Sequence, residues 1–403
     1  MKWREINLGD VIHVKHGFAF KSQYFFNSGE YVVLTPGNFN EEGGFRLRPD
    51  KERFYNGDIP EDYVLNDGDL IVAMTEQGPG LLGSSALIPE GGKYLHNQRL
   101  GLIQDLDDTI IDKKFLYYLF NTRTVRGQIS GSASGTKVRH TAPERIYRVK
   151  VIVPADVTEQ DRIASILSAY DDLIANNQRR IQLLEQSARL LYKEWFVNLR
   201  FPGHEHINIK DGIPEGWEKE KTTSHLEFVR GVEPGSKNYM YTPEESRVPF
   251  LRVGDFGSRA SNIYIDTIHA RGKLLEPEDV AITMDGTPGL VGFGMSGAFS
   301  SGIRKVAPKD QCGIGWSFTY ELLQSDAIQS TIDSFAKGTT ILHASSSLNN
   351  MVFLKPPKTL LDLFEVVNAP FLHQILILDN QNDQLTKARD LLLPRLMKGE
   401  IAV

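Results

Sequence analysis

The chain repeats itself at about half its length, and a tandem repeat fixes an architecture before any single motif has to be trusted. Tyr31 to Phe39 (YVVLTPGNF) resembles Val248 to Phe256 (VPFLRVGDF), with Phe39 and Phe256 offset by 217. Asp69 to Thr75 (DLIVAMT) meets Asp279 to Asp285 (DVAITMD) at an offset of 210, and the Pro-Gly pair at 79 and 80 meets the one at 288 and 289 at 209. Gly135-Thr136 through His140 to Pro154 then matches Gly338-Thr339 through His343 to Pro357 at 203. A slowly shrinking offset is what small loop deletions in a duplicated unit leave behind.

Each copy is followed by a segment of different character. Residues 158 to 199 read as one long helix, started by a capping-box-like Thr158 with Asp161 and stopped by Phe201-Pro202-Gly203. Ile163, Leu167, Tyr170, Ile174, Asn177, Ile181, Leu184, Ala188, Leu191 and Trp195 alternate by fours and threes, which is a coiled-coil seam. Such a helix is about 58 Å long. After the second copy, a counterpart starts near Asn368 to Pro370 and carries Phe371, Leu378, Leu385, Ala388 and Leu392, with Gln374 and Gln381 as polar interruptions. Pro394 should end or kink it.

The expected organisation is therefore a globular unit at 1–156, a spacer helix at 157–200, a second unit at 201–355 and a second helix at 356–403. Short apolar runs bounded by Gly and Pro, with helices expected at Lys113 to Asn121 and Ser325 to Phe335, make the globular copies α/β or α+β. The simplest closed arrangement packs the helices antiparallel with one unit at each end, a pseudo-twofold dumbbell.

Composition restricts the function. The 403 residues carry 45 Lys and Arg against 51 Asp and Glu, a net charge of −6, so no basic field covers the whole chain and any DNA contact must come from local patches or a helper subunit. The single Cys312 leaves no disulfide framework and no usual zinc pattern. Gly131 to Lys137 (GSASGTK) lacks the spacing of a phosphate loop, and no Asp- or Asn-Pro-Pro-aromatic methylation motif occurs. No run of 18 apolar residues and no apolar N-terminal core are present, which leads us to expect a cytoplasmic protein without a membrane segment.

What accumulates instead is polar and basic side chains on loops of both copies. Lys137, Arg139, His140, Arg145, Arg148 and Lys150 surround a single Glu144, a pattern suited to tracking phosphates. Asn97-Gln98-Arg99 sets two amides and a guanidinium side by side, chemistry that fits base edges, and Arg304-Lys305 lies in the matching neighbourhood of the second copy. Gly-containing loops carry Lys21 and Ser22 in one copy and Arg230, Lys237 and Asn238 in the other. Gln77, Arg252, Thr339 and His343 complete the candidate DNA-contacting set. On the first long helix Ile166, Leu173, Leu183 and Leu190 lie off the seam and form a candidate partner-binding stripe.

GFAFKS (17 to 22), DGDLIVAMT (67 to 75), NQR (97 to 99), the helical run from Ala169 to Phe196 and the C-terminal stretch from Leu378 to Ile401 resemble the specificity subunit of type I restriction-modification systems. The resemblance covers essentially the whole chain. It implies a non-catalytic subunit whose two target-recognition domains each read half of a split, asymmetric sequence in double-stranded DNA, with the paired helices setting the gap. It also implies two methyltransferase subunits docked on those helices, and restriction/translocase subunits beyond them. No cofactor is expected on this chain; S-adenosylmethionine, ATP and Mg would belong to the partners. The alternative from the same residues is a non-DNA adaptor, two protein-binding modules spaced by a coiled coil.

Overall fold

The computed structural model describes residues 2–309, 312–338 and 342–403. They fall into two compact units, Met1–Ile174 with Asp383–Val403, and Ala175–Asn382.

In the first unit a four-stranded antiparallel sheet has the order His13–His16, Leu100–Gln104, Leu70–Ala73, Ser85–Leu87. A smaller sheet runs Phe25–Phe26, Phe54–Tyr55, Tyr31–Val33, Tyr94–Leu95, its last pair parallel. Trp3–Asn7 pairs with Lys150–Pro154, and a two-residue ladder joins Thr75–Glu76 to Arg139–His140. Leu70–Ala73 is buried on both faces, which is why it reads as an unbroken apolar run. Helix Lys113–Phe120 is capped by the Asp112 carboxylate, which accepts from the Phe115 N–H at 2.7 Å. The helix buries Phe115, Leu116, Leu119 and Phe120.

The second unit has its own four-stranded sheet in the order Leu226–Arg230, Ile303–Pro308, Val280–Thr283, Val291–Gly292. Its companion sheet contains Arg247–Leu251 paired parallel to Gly297–Phe299. Glu218–Lys221 pairs with Val352–Lys355, and Asp285–Gly286 with Leu342–His343. Helices Trp316–Leu323 and Asp326–Phe335 stand where the sequence led us to expect the second of them.

Two long helices, Val157–Tyr192 and Lys358–Met397, contribute to both cores. Within the first unit Ile163, Ala164 and Leu167 share a core with Leu396 and Met397, and Arg389 donates to Asp171 at 2.6 Å. Within the second, Asn177 donates to Asn382 at 3.0 Å and the rings of Trp195 and Phe364 lie 5.8 Å apart. Partners descend along one helix as they ascend along the other, so the pairing is antiparallel in each unit. The expected seam from Ile163 to Trp195 is buried or half-buried throughout.

Three helix-end expectations need correction. Asp156, rather than a Thr158–Asp161 box, starts the first helix: its carboxylate accepts from the Thr158 N–H at 2.9 Å and hydroxyl at 2.7 Å. The helix ends in a π-helical turn, Lys193–Val197, which turns Trp195 and Phe196 into the core. The second helix begins at Lys358, ten residues before Asn368, and runs through Pro370 and Pro394. Both prolines are exposed, so solvent can take the carbonyl that each leaves without a donor. Gln381 is also exposed rather than in the seam; its neighbour Asn382 occupies that place. Among the described residues one helix, Lys358–Met397, is long and apolar enough to cross a membrane. Its Leu361, Phe364, Leu372, Ile375 and Leu378 are buried in the second unit's core.

Candidate nucleic-acid interface

In the first unit the ends of three sheet strands converge. Gly17 closes the strand His13–His16 where it crosses the run before Leu100. A Cβ at Gly17 would stand 2.0 Å from the Asn97 carbonyl oxygen, so only glycine fits. Phe18 N–H donates to His96 O at 2.9 Å and Gln98 N–H to Phe18 O at 3.0 Å. Asn97 is buried, its side-chain oxygen accepting from the Arg99 N–H at 3.0 Å, and this turn leaves Gln98 and Arg99 exposed. Beside them, Met74 N–H donates to Arg99 O and Thr141 N–H to Met74 O, at 3.0 and 2.9 Å. That places the ladder of Thr75–Glu76 with Arg139–His140 next in the row. His140 Nδ1 lies 3.1 Å from the Thr75 hydroxyl.

The loop 134–140 closes on itself through two backbone bonds between Ser134 and His140. Gly135 allows it, with φ +99° and no room for a Cβ against the Val138 carbonyl. Lys137 stands exposed on this loop, and Gln77, Lys21 and Ser22 are exposed as well. Beneath them the buried His96 sets Nε2 3.0 Å from the Leu100 carbonyl, and burial lowers its pKa to about 4. A neutral ring, donating Nε2–H, fits both facts.

The second unit builds the same row by its own hydrogen bonds. A Cβ at Gly231 would fall 2.2 Å from Phe299 O, and Val232 N–H donates to that oxygen at 2.8 Å. Met284 N–H donates to Gly302 O and Ala344 N–H to Met284 O, at 2.7 and 2.9 Å. Lys337 and His343 exchange two backbone hydrogen bonds. His343 Nδ1 sits 2.7 Å from Asp285 Oδ1. Arg230 and Lys237 are exposed; Asn238 is half-buried and donates to Pro234 O; Arg252 is exposed and ion-paired to Asp255 at 3.2 Å. Thr339 lies outside the described residues.

Three candidates have other work. Arg139 turns inward: it pairs with the buried Glu76 at 3.1 Å, while the other Glu76 oxygen accepts from the N–H groups of Gly80, Leu81 and Leu82. Arg304 is buried on a central strand, donating to the carbonyls of Ser301 and Ile303 and to the Ser345 hydroxyl. Lys305 is half-buried and held by Asp279 at 2.6 Å. The backbone bonds match Asn97-Gln98-Arg99 to Ser300-Ser301-Gly302, not to Arg304-Lys305. Ser301 is thus a candidate that the sequence reading missed, although the offset of 203 linking His140 to His343 leads from Gln98 straight to it. Its N–H donates to Glu233 at 3.3 Å and its hydroxyl to the same oxygen.

On the first long helix Ile166, Leu173, Leu183 and Leu190 are 38, 45, 45 and 61 % exposed.

The row sets exposed amide, guanidinium, ammonium and imidazole groups on loops fixed by backbone bonds, and comparison with known proteins shows what the chain resembles. A family model for the type I restriction modification DNA specificity domain matches residues 1–186. The specificity subunit of the type I restriction enzyme MjaIX from Methanocaldococcus jannaschii is 26 % identical over 309 residues, which cover 72 % of this chain and 69 % of that one. The HindI specificity subunit of Haemophilus influenzae is 22 % identical, with 99 % of both chains aligned. The crystal structure of a type I S subunit from M. genitalium has the same fold, with a TM-score of 0.61, 16 % identity and 98 % of this chain covered. The resemblance to type I restriction-modification specificity subunits is thereby shown, and residues 1–186 match the family's model of the DNA specificity domain.

Proposed function

We propose that this chain is the non-catalytic DNA-reading subunit of a type I restriction-modification complex, with each unit reading one half of a split, asymmetric target. The observation that carries this reading is the row itself. In each unit, equivalent backbone bonds bring a glycine loop, the start of a central strand and a histidine-bearing ladder to one place, while the exposed side chains differ. A shared frame with Gln98, Arg99 and Lys137 in one unit, and Ser301, Glu233 and His343 in the other, suits two different half-sequences. The two long helices join the units as a dumbbell and set the gap. Their exposed stripe, Ile166 to Leu190, docks two methyltransferase subunits, and restriction/translocase subunits join the complex beyond them.

The net charge of −6 fits this division of labour, because partner subunits around the DNA would supply the missing phosphate contacts. Adenine methylation with S-adenosylmethionine, and ATP- and Mg-dependent cleavage, belong to those partners. The assembly works in the cytoplasm. Co-expression with the methyltransferase from the same genome, followed by mapping of methylated bases, tests the proposal: a two-part asymmetric site is expected. Methylation that is absent, or independent of this chain, would overturn it.

A further inference from the structure

The two ladder histidines occupy equivalent places but have different partners. His140 Nδ1 faces the Thr75 hydroxyl, which can donate or accept, so either nitrogen of that ring can carry the proton. His343 Nδ1 faces the Asp285 carboxylate at 2.7 Å, which when ionised only accepts. Nδ1 of His343 must then carry a hydrogen, and in the neutral ring Nε2 is left as an acceptor. The His343 backbone is fixed through the Asp285 to His343 ladder and the two bonds to Lys337, and the ring is anchored to Asp285 through Nδ1. The His343 side chain is 62 % exposed, whereas Asp285 is 22 % exposed beneath it. Among the described residues Nε2 of His343 has no hydrogen-bond partner.

An outward acceptor of fixed polarity selects donors. In the major groove the only donors on base edges are the exocyclic amines, N6 of adenine and N4 of cytosine; guanine and thymine offer acceptors there. Resting on the DNA-reading role proposed above, we infer that His343 is a specificity-determining residue that accepts a hydrogen bond from an adenine or cytosine amine in the half-site read by the second unit, with Asp285 as the positioning residue that fixes its tautomer. His140 has no such constraint, so the two halves of the target differ in stringency at this place.

The test uses the full chain co-expressed with its methyltransferase, selected at pH 8 against a randomised duplex DNA library. Unaltered protein should enrich adenine or cytosine at one position of one half-site. His343→Ala should reduce that preference about ten-fold and leave every other position as it was. His343→Lys, a donor only, should shift the preference at that position to guanine or thymine. Asp285→Ala should weaken the same preference without moving the other half-site, a readout that a merely structural role would not confine to one base. Variants with the unaltered preference at every position would overturn the inference while leaving the DNA-reading role intact. A complex that enriches no sequence at all would overturn both.

Discussion

At the residue scale, two buried ionisable groups give the units opposite responses to pH. His96 in the first unit is held neutral by burial, with its pKa lowered from 6.5 to about 4. The unfolded chain therefore binds more protons than the folded one between those values. The stability gained is present above pH 6.5 and lost as pH falls towards 4, up to about 3 kcal/mol. Glu321 in the second unit is 2 % exposed, with one carboxylate oxygen unpartnered, and burial raises its pKa to about 7. Here the folded state holds the extra proton, so the stability is present below about pH 4.5 and lost as pH rises through 7. Glu321→Gln should raise the melting temperature at pH 8 and leave it almost unchanged at pH 5, whereas His96→Gln should flatten the acid limb. Thermal denaturation across pH 4.5 to 8 checks both.

On the exposed row, Lys137→Ala should weaken binding to all DNA and lower the salt slope by about one. Arg99→Ala should instead relax discrimination by about 1–3 kcal/mol, as measured by binding to specific and random duplexes. The exposure of Gln98, Arg99 and Lys137 on loops was legible in the sequence because residue type and neighbouring glycines sufficed. Arg139 was not, because the carboxylate that captures it lies 63 positions away at Glu76. Arg304-Lys305 misled for a related reason: a basic pair reads as surface until the strand Ile303–Pro308 is seen to run between two others.

At the scale of elements, the seam of the first helix was legible because heptad spacing depends on nothing outside the helix. The second was harder. Two prolines and a polar stretch look like breaks in a sequence, yet on a solvent-facing side they leave the helix intact. The register shows at Asn177, 2 % exposed and bonded to Asn382. Asn177→Leu alone should cost about 1 kcal/mol, because it leaves the half-buried Asn382 amide without its partner. Asn177→Leu with Asn382→Leu should restore or exceed the original stability while loosening the register. Chemical denaturation of the single and double variants separates these outcomes. The outer stripe makes a different prediction: Leu183→Asp with Leu190→Asp should leave the melting temperature within a few degrees and abolish co-purification with the methyltransferase. A retained complex would place that partner elsewhere.

For the whole molecule, four short blocks led us to expect a tandem repeat; the described residues form two units, each with a two-residue ladder, Thr75–Glu76 with Arg139–His140 and Asp285–Gly286 with Leu342–His343. Strand order was not legible, since short apolar runs do not name their neighbours. If the paired helices set the gap between half-sites, one heptad added to each, near Asn177 and Gln381, lengthens the spacer by about 10 Å, or about 3 bp. The preferred gap should grow by one to three pairs, or binding should be lost, and methylome sequencing would read the change.

The most direct measurement of the central claim is the methylome of cells expressing a chimera in which residues 201–355 are replaced by the corresponding segment of a related specificity subunit. The account predicts that one half of the methylated sequence changes and the other half stays as it was. Both halves changing together, or neither changing, would contradict two independent readers in one chain.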